Sequence, residues 1–180
     1  MPSGTYGPEI WTREPLITAG QPSAPTADAQ APDPPRQLAW VGAHGGAGTS
    51  TLATVLGGLD AGCTWPRPDH GEPDGVLLVA RTHAAGLQAA SRALDVFRRG
   101  DQPPGLELIA VVLVADAPGR LPRQLHQRIK VIGSVTAVHR LPWVPSWRTG
   151  DLGAPPPRET AALSRLLAAP PRRTATRSTR

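Results

Sequence analysis

One cysteine, one phenylalanine, one tyrosine and one lysine occur in 180 residues, and each scarcity removes a class of explanation. A lone Cys63 forms no intrachain disulfide, which separates the chain from small secreted scaffolds that depend on cross-links. His70 and His83 follow it at no zinc-site spacing, so Cys63 reads as a buried structural thiol. No apolar run reaches the roughly 18 residues of a membrane span. The opening Met1-Pro2-Ser3-Gly4-Thr5-Tyr6 has neither the basic nor the apolar stretch of an export signal. The expectation is a cytoplasmic protein with no membrane contact. Lys130 is the only lysine, every other cation being arginine, and with the Ala/Gly/Pro richness this marks a GC-rich coding bias.

Breakers, by contrast, are abundant. Twenty-two prolines and 19 glycines exceed what one compact fold of this length uses, so part of the chain is tail. Residues 1–36 repeat Pro, Ala, Ser, Asp and Gln with almost no hydrophobic periodicity and read as a disordered, partly polyproline leader. Ile10, Trp11, Leu16 and Ile17 form its one apolar cluster, suited to docking on the domain or on a partner. At the other end Arg172, Arg173, Arg177 and Arg180 crowd the last nine residues. A net charge of +5 and a pI near 10.9 favour anionic partners. No aromatic is interleaved there to stack on bases, so the tail fits a solvated segment better than a nucleic-acid arm.

Between the tails, strand and helix patterns alternate. Leu38-Ala39-Trp40-Val41 is a short apolar run, and Leu52, Val55, Leu56 and Leu59 follow at helical spacing. Gly75 to Ala80 is a second apolar run, followed by Leu87, Ala90, Leu94 and Phe97 at intervals of three and four. Arg98 and Arg99 put positive charge in the last turn before Gly100, where the helix dipole favours it and glycine ends the helix. Leu106 to Ala115 is nearly all apolar, as a parallel strand covered on both faces requires. A helix is expected from about Leu121 to Ile129, a further strand from Val135 to Leu141, and a short helix over 158–168. The expected fold is a small α/β domain at 37–150, a parallel sheet of about four strands with flanking helices in right-handed crossovers. An Arg-rich, Pro-rich tail at 151–180 completes the chain.

The segment Gly42-Ala43-His44-Gly45-Gly46-Ala47-Gly48-Thr49-Ser50-Thr51 falls between the first strand and the first helix. Glycines there let the backbone turn tightly and aim consecutive N–H groups at an anion, and the helix N-terminus adds partial positive charge. Ser50 or Thr51 offers a hydroxyl to magnesium. Asp116 follows the apolar run Val111-Val112-Leu113-Val114-Ala115 and precedes Ala117-Pro118-Gly119, a place that suits a metal contact, a base contact or a turn former before proline. Arg81, just past the second strand, lies where open α/β sheets bind ligands. His83, His126 and His139 have no nucleophile at a recognisable elbow. Trp143 and Trp147 read as anchors of the chain's later part on the core.

On these residues the chain resembles the partition and septum-site ATPases, P-loop NTPases with a deviant Walker A loop that reads Lys-Gly-Gly-Val-Gly-Lys-Thr-Thr. His44 to Thr51 align with it without a gap, Gly45, Gly46 and Gly48 matching glycines and Ser50 and Thr51 the hydroxyl pair. The resemblance implies ATP or GTP with Mg2+, held by Gly45, Gly46, Ala47, Gly48, Thr49, Ser50 and Thr51. It places the metal at Ser50 and Asp116; a rival alignment, by strand order, instead makes Asp116 a base contact and Leu141-Pro142 the adenine-side loop. Two departures are chemical. Thr49 stands where the phosphate-reaching lysine belongs, and His44 where the signature lysine belongs. Their loss removes roughly 3 kcal/mol or more of electrostatic stabilisation from phosphoryl transfer. Only about fifteen residues separate the loop helix from Gly75, too few for a strand-helix-strand insertion. The stretch from Trp40-Val41-Gly42 to Leu141-Pro142-Trp143 also resembles an uncharacterised group of proteins from high-GC Gram-positive bacteria. Two functions therefore stand: a degenerate P-loop protein that binds nucleotide with weak or no hydrolysis, or a non-enzymatic module whose tails bind a partition or DNA-transfer ATPase.

Overall fold

Strand β1 (Leu38–Gly42) is buried at every position, and the same holds for all but the last residue of β3 (Gly75–Arg81). Side chains of a strand alternate between faces, so a strand apolar at consecutive positions must be covered on both. A computed structural model of the chain describes residues 37–169 and shows that covering. Leader residues 1–36 and the arginines beyond 169, with the sequence expectations that fall on them, lie outside the described residues.

The remaining strands and α-helices are α1 (Thr49–Leu56), β2 (Leu59–Asp60), α2 (Ala84–Arg99), β4 (Glu107–Val114), α3 (Arg123–Gly133), β5 (Val138–Leu141), α4 (Pro145–Arg148) and α5 (Ala161–Leu167), with short 3-10 turns at Pro68–His70 and Arg158–Thr160. All five strands run parallel in the order β2-β1-β3-β4-β5. Val76, Leu78, Val111 and Leu113 face α2 and α3, packing on Leu87, Leu94, Ile129 and Ile132. Trp40, Leu77, Val79 and Val112 face the other way, onto Leu52 of α1 and Leu163 of α5. The chain therefore turns to one face after β1 and to the opposite face after β3. Neighbouring strands that send their helices to opposite faces leave a crevice between their carboxyl ends, the ligand-binding place of open α/β sheets.

Helix α2 ends as its residues foretell. Gly100 takes φ +77°, and the N–H groups of Gly100 and Asp101 close on Phe97 and Val96. A non-glycine residue adopts that conformation only at a steric cost.

Four expectations are corrected. The sheet has five strands rather than about four, because β2 is two exposed residues long and carries no readable periodicity. The third helix starts only after Pro122 and runs to Gly133, and β5 begins at Val138 rather than Val135. Cys63 is exposed; its neighbour Trp65 takes the sheltered place, edge-on to Phe97 at 5.2 Å. Beyond residue 150, α5 packs on the sheet through Leu163, which is 0% exposed.

Leu163 touches the cluster that holds Trp40 and Leu52, so Leu163→Ala is expected to cost about 2–5 kcal/mol in urea unfolding. A loss below about 1 kcal/mol, the range of an ordinary surface change, would detach α5 from the core.

Candidate functional site

The crevice between β1 and β3 is filled by the glycine loop. Leaving β1, Gly42 donates its N–H to the Gly62 carbonyl at 2.6 Å and Ala43 donates to Val79 of β3 at 2.8 Å, so the loop is bonded on both sides from its first residue. Gly46 and Gly48 adopt φ of +73° and +110°. A Cβ on Gly46 would meet nothing within 4 Å, so glycine is demanded there by the backbone turn and not by crowding. Ala47 and Thr49 turn inward and are buried. Gly48 opens α1 with no side-chain cap. The first N–H groups of a helix have no intrahelical partners, so an uncapped start after a glycine turn presents amide hydrogens and the positive end of the helix dipole.

Ser50, in the first turn of α1, donates its hydroxyl to Asp60 Oδ2 at 2.5 Å. The second oxygen, Oδ1, accepts the Gly62 N–H at 3.0 Å. Asp60 ends β2, in register with Trp40 of β1, so the short strand places this carboxylate beside the loop. The Ser50 hydroxyl, then the Gly62 amide, hold the Asp60 carboxyl below its ordinary value. Sequence reading did not find Asp60. Its signal was a leucine-aspartate pair just beyond the loop helix, in a strand too short for any periodic pattern.

Across the crevice, Arg81 locks the loop from the end of β3. Its main-chain N–H donates to His44 Nε2 at 3.1 Å. That ring nitrogen must then be the acceptor, so Nδ1 carries the hydrogen and donates to the Gly45 carbonyl at 2.9 Å. His44 thus braces the loop against the end of β3. The Arg81 guanidinium donates to the Ala115 carbonyl at 3.1 Å and, longer, to the Gly46 carbonyl at 3.4 Å. Burial lowers its pKa; Asp116 opposes that shift and Arg148 adds to it. Gly86 is required by this arrangement: a Cβ there would collide with the Arg81 carbonyl oxygen and lie 3.0 Å from His44 Nε2.

The other expected residues are spread over neighbouring clefts on the same edge of the sheet. Gly48 and Thr51 line a small, largely closed cavity with Arg81, Trp143, Trp147 and Arg148. Asp116 takes its N–H to the buried Thr82 hydroxyl at 3.1 Å and lines a separate cleft of about 230 Å³ with Arg120 and Arg140. Pro142 lines a third, open cleft beside Trp143 and Pro145. The loop residues and the Ser50 hydroxyl come together, whereas the carboxylate bonded to Ser50 is that of Asp60, not Asp116. Trp147 packs against the core, as expected of an anchor. Among the described residues no group of three or more His, Cys, Asp or Glu side chains gathers to hold a metal, and no helix is long and apolar enough to cross a membrane.

A family model described as a family of unknown function (DUF6668) matches residues 37–166, from the first described residue into α5, and the chain belongs to that family. Comparisons with curated proteins and with solved structures gave no match.

Because the fold lowers the Asp60 pKa, the stabilisation from its contacts is complete above the ordinary carboxylate range and is lost as pH falls through the lowered value. Ser50→Ala removes the first cause of that shift. Carboxyl-carbon NMR should show Asp60 titrating at higher pH in this variant than in the parent. An unchanged midpoint would mean that the hydroxyl does not hold the carboxylate in solution.

Proposed function

We propose that the chain binds a phosphate-bearing ligand, ATP or GTP with Mg2+, in a degenerate phosphate loop, and hydrolyses it weakly or not at all. The observation that carries this reading is the Ser50–Asp60 pair at the mouth of the glycine turn. A helix-start hydroxyl bonded to a strand-end carboxylate gives two hard oxygen donors beside an anion cradle, which is the donor chemistry magnesium takes while keeping several waters. Ser50 and Asp60 would hold the ion, and the ion would neutralise phosphate charge and orient the phosphate oxygens.

The loop's positive-φ glycines and uncapped helix start supply the amide half of the cradle. Thr49 cannot supply the charged half, being short, neutral and only 8% exposed. Arg81 supports the reading from outside the motif: it reaches the Gly46 carbonyl, and a Cβ on Gly48 would lie 3.7 Å from its Nη2. A guanidinium so placed offers the ligand a fixed positive charge. It is also tied to two carbonyls, so it is not free to follow a transferring phosphoryl group. Binding with little turnover is the outcome these positions favour.

Calorimetric titration of the full chain with ATP, GTP and their diphosphates, with and without Mg2+, tests this. Saturable binding is expected in the parent, strengthened by Mg2+. Gly46→Val should abolish binding while costing about 1–2 kcal/mol of stability for forcing a side chain into the left-handed region. Asp60→Asn should remove the Mg2+ dependence and spare the rest. Flat titrations on folded protein would overturn the proposal and leave the partner-binding module as the better account.

A further inference from the structure

Charge on this domain is segregated along the chain. Between Asp116 and Asp151 there are six arginines and lysines and no carboxylate, whereas the rest of the described chain has ten carboxylates against seven such cations. Carboxylates and cations on an ordinary soluble surface are interspersed; a stretch this long without one carboxylate concentrates positive potential where it folds.

The fold gathers that stretch at one end of the sheet. It comprises the loop after β4, helix α3, the edge strand β5 and α4. Helix α3 turns Ile129 and Ile132 into the core, which sends Arg123, His126 and Lys130 outward at i, i+3 and i+7. These three form one stripe, about 10 Å from end to end at 1.5 Å rise per residue. Beside the start of α3, Arg120 and Arg140 line the same cleft, in which Asp116 is the one carboxylate. Arg140 continues into the next cleft, which is bordered by Trp143 and, as its one carboxylate, Glu159. Arg120, Arg123, Arg128, Lys130, Arg140 and Arg148 are all exposed, and none of the six makes an ion pair among the described residues. Arg128 alone has a hydrogen bond, to the Ala84 carbonyl at 3.5 Å.

We propose that this α3–β5 edge is a binding surface for nucleic acid, engaging the phosphate backbone without reading sequence. Five of the six cations are arginines, whose planar forks match phosphate oxygens in pairs. A stripe on a helix leading into an arginine-lined cleft follows a strand of regularly spaced phosphates. A lipid surface fits less well, because the large apolar side chains exposed on this edge are only Val131 and Val135, at 60% and 58%, with no Phe, Leu or Trp on the outer face of α3 to insert. Of the six cations Arg148 also lines the glycine-loop cavity; the other five lie on α3, on β5 and in the loop before α3, and the surface they form does not depend on how the glycine loop is read.

Fluorescence anisotropy of labelled random-sequence DNA, duplex and single-stranded, measures the binding directly on the full chain. The expected result is sequence-independent affinity that falls steeply between about 50 and 200 mM salt. The triple variant R123Q/K130Q/R140Q should bind at least about tenfold more weakly, with the log–log salt slope reduced by about 2–3. These side chains are exposed, so circular dichroism and the thermal midpoint of the variant should match the parent. A second variant, with Arg172, Arg173, Arg177 and Arg180 changed to Gln, should keep most of the affinity. Loss of binding in the tail variant alone would overturn the proposal, as would equal competition by polyglutamate. Binding to anionic phosphatidylglycerol vesicles with none to DNA would overturn it in favour of a membrane surface.

Discussion

The splice between the glycine loop and β3 holds the carboxyl edge of this domain together. Three contacts make it: Ala43 to Val79, the Arg81 amide to His44, and the Arg81 guanidinium to Gly46. A loop with glycines at 45, 46 and 48 has little conformational preference of its own and would lose much entropy on ordering. Anchoring it to the most buried strand pair of the sheet supplies that order. Gly86 must lack a side chain for the anchor to close, so a residue in α2 is constrained by a loop some forty positions earlier in the chain.

Much of this was readable beforehand, for identifiable reasons. Strands β1, β3 and β4 announced themselves because burial on both faces forces continuous apolar runs, and α2 because its apolar spacing and its arginine–glycine ending agree. The position of the glycine loop followed from the order of elements. What escaped was short or lay in tertiary contacts. Strand β2 has two residues and its significance lies in one side chain, Asp60, whose partner is ten residues away. The role of His44 depends on a hydrogen bond to residue 81, which no local pattern encodes. Cys63 was misplaced because the burial habit of cysteine is an average, and here Trp65 supplies the apolar contact that its loop needs.

The side chains around the glycine loop set what kind of loop this is. The crevice has a histidine bonded to Gly45 and Arg81, a buried threonine and an arginine held between two carbonyls. Each is held more rigidly than a long, exposed side chain would be. Such a loop is suited to holding one arrangement of charge, and ill suited to tracking charge as it shifts during a reaction.

The sheet's outline has a consequence for how the protein behaves in a crowded solution. Its two longest and most apolar strands, β3 and β4, have both edges paired, while the outer positions fall to β2, of two residues, and β5, of four residues including the exposed Arg140. Open strand edges recruit other chains into continuous sheets, and brevity and charge are the features that discourage it. A valine-rich, otherwise aggregation-prone core is thereby enclosed by edges too short or too charged to template growth.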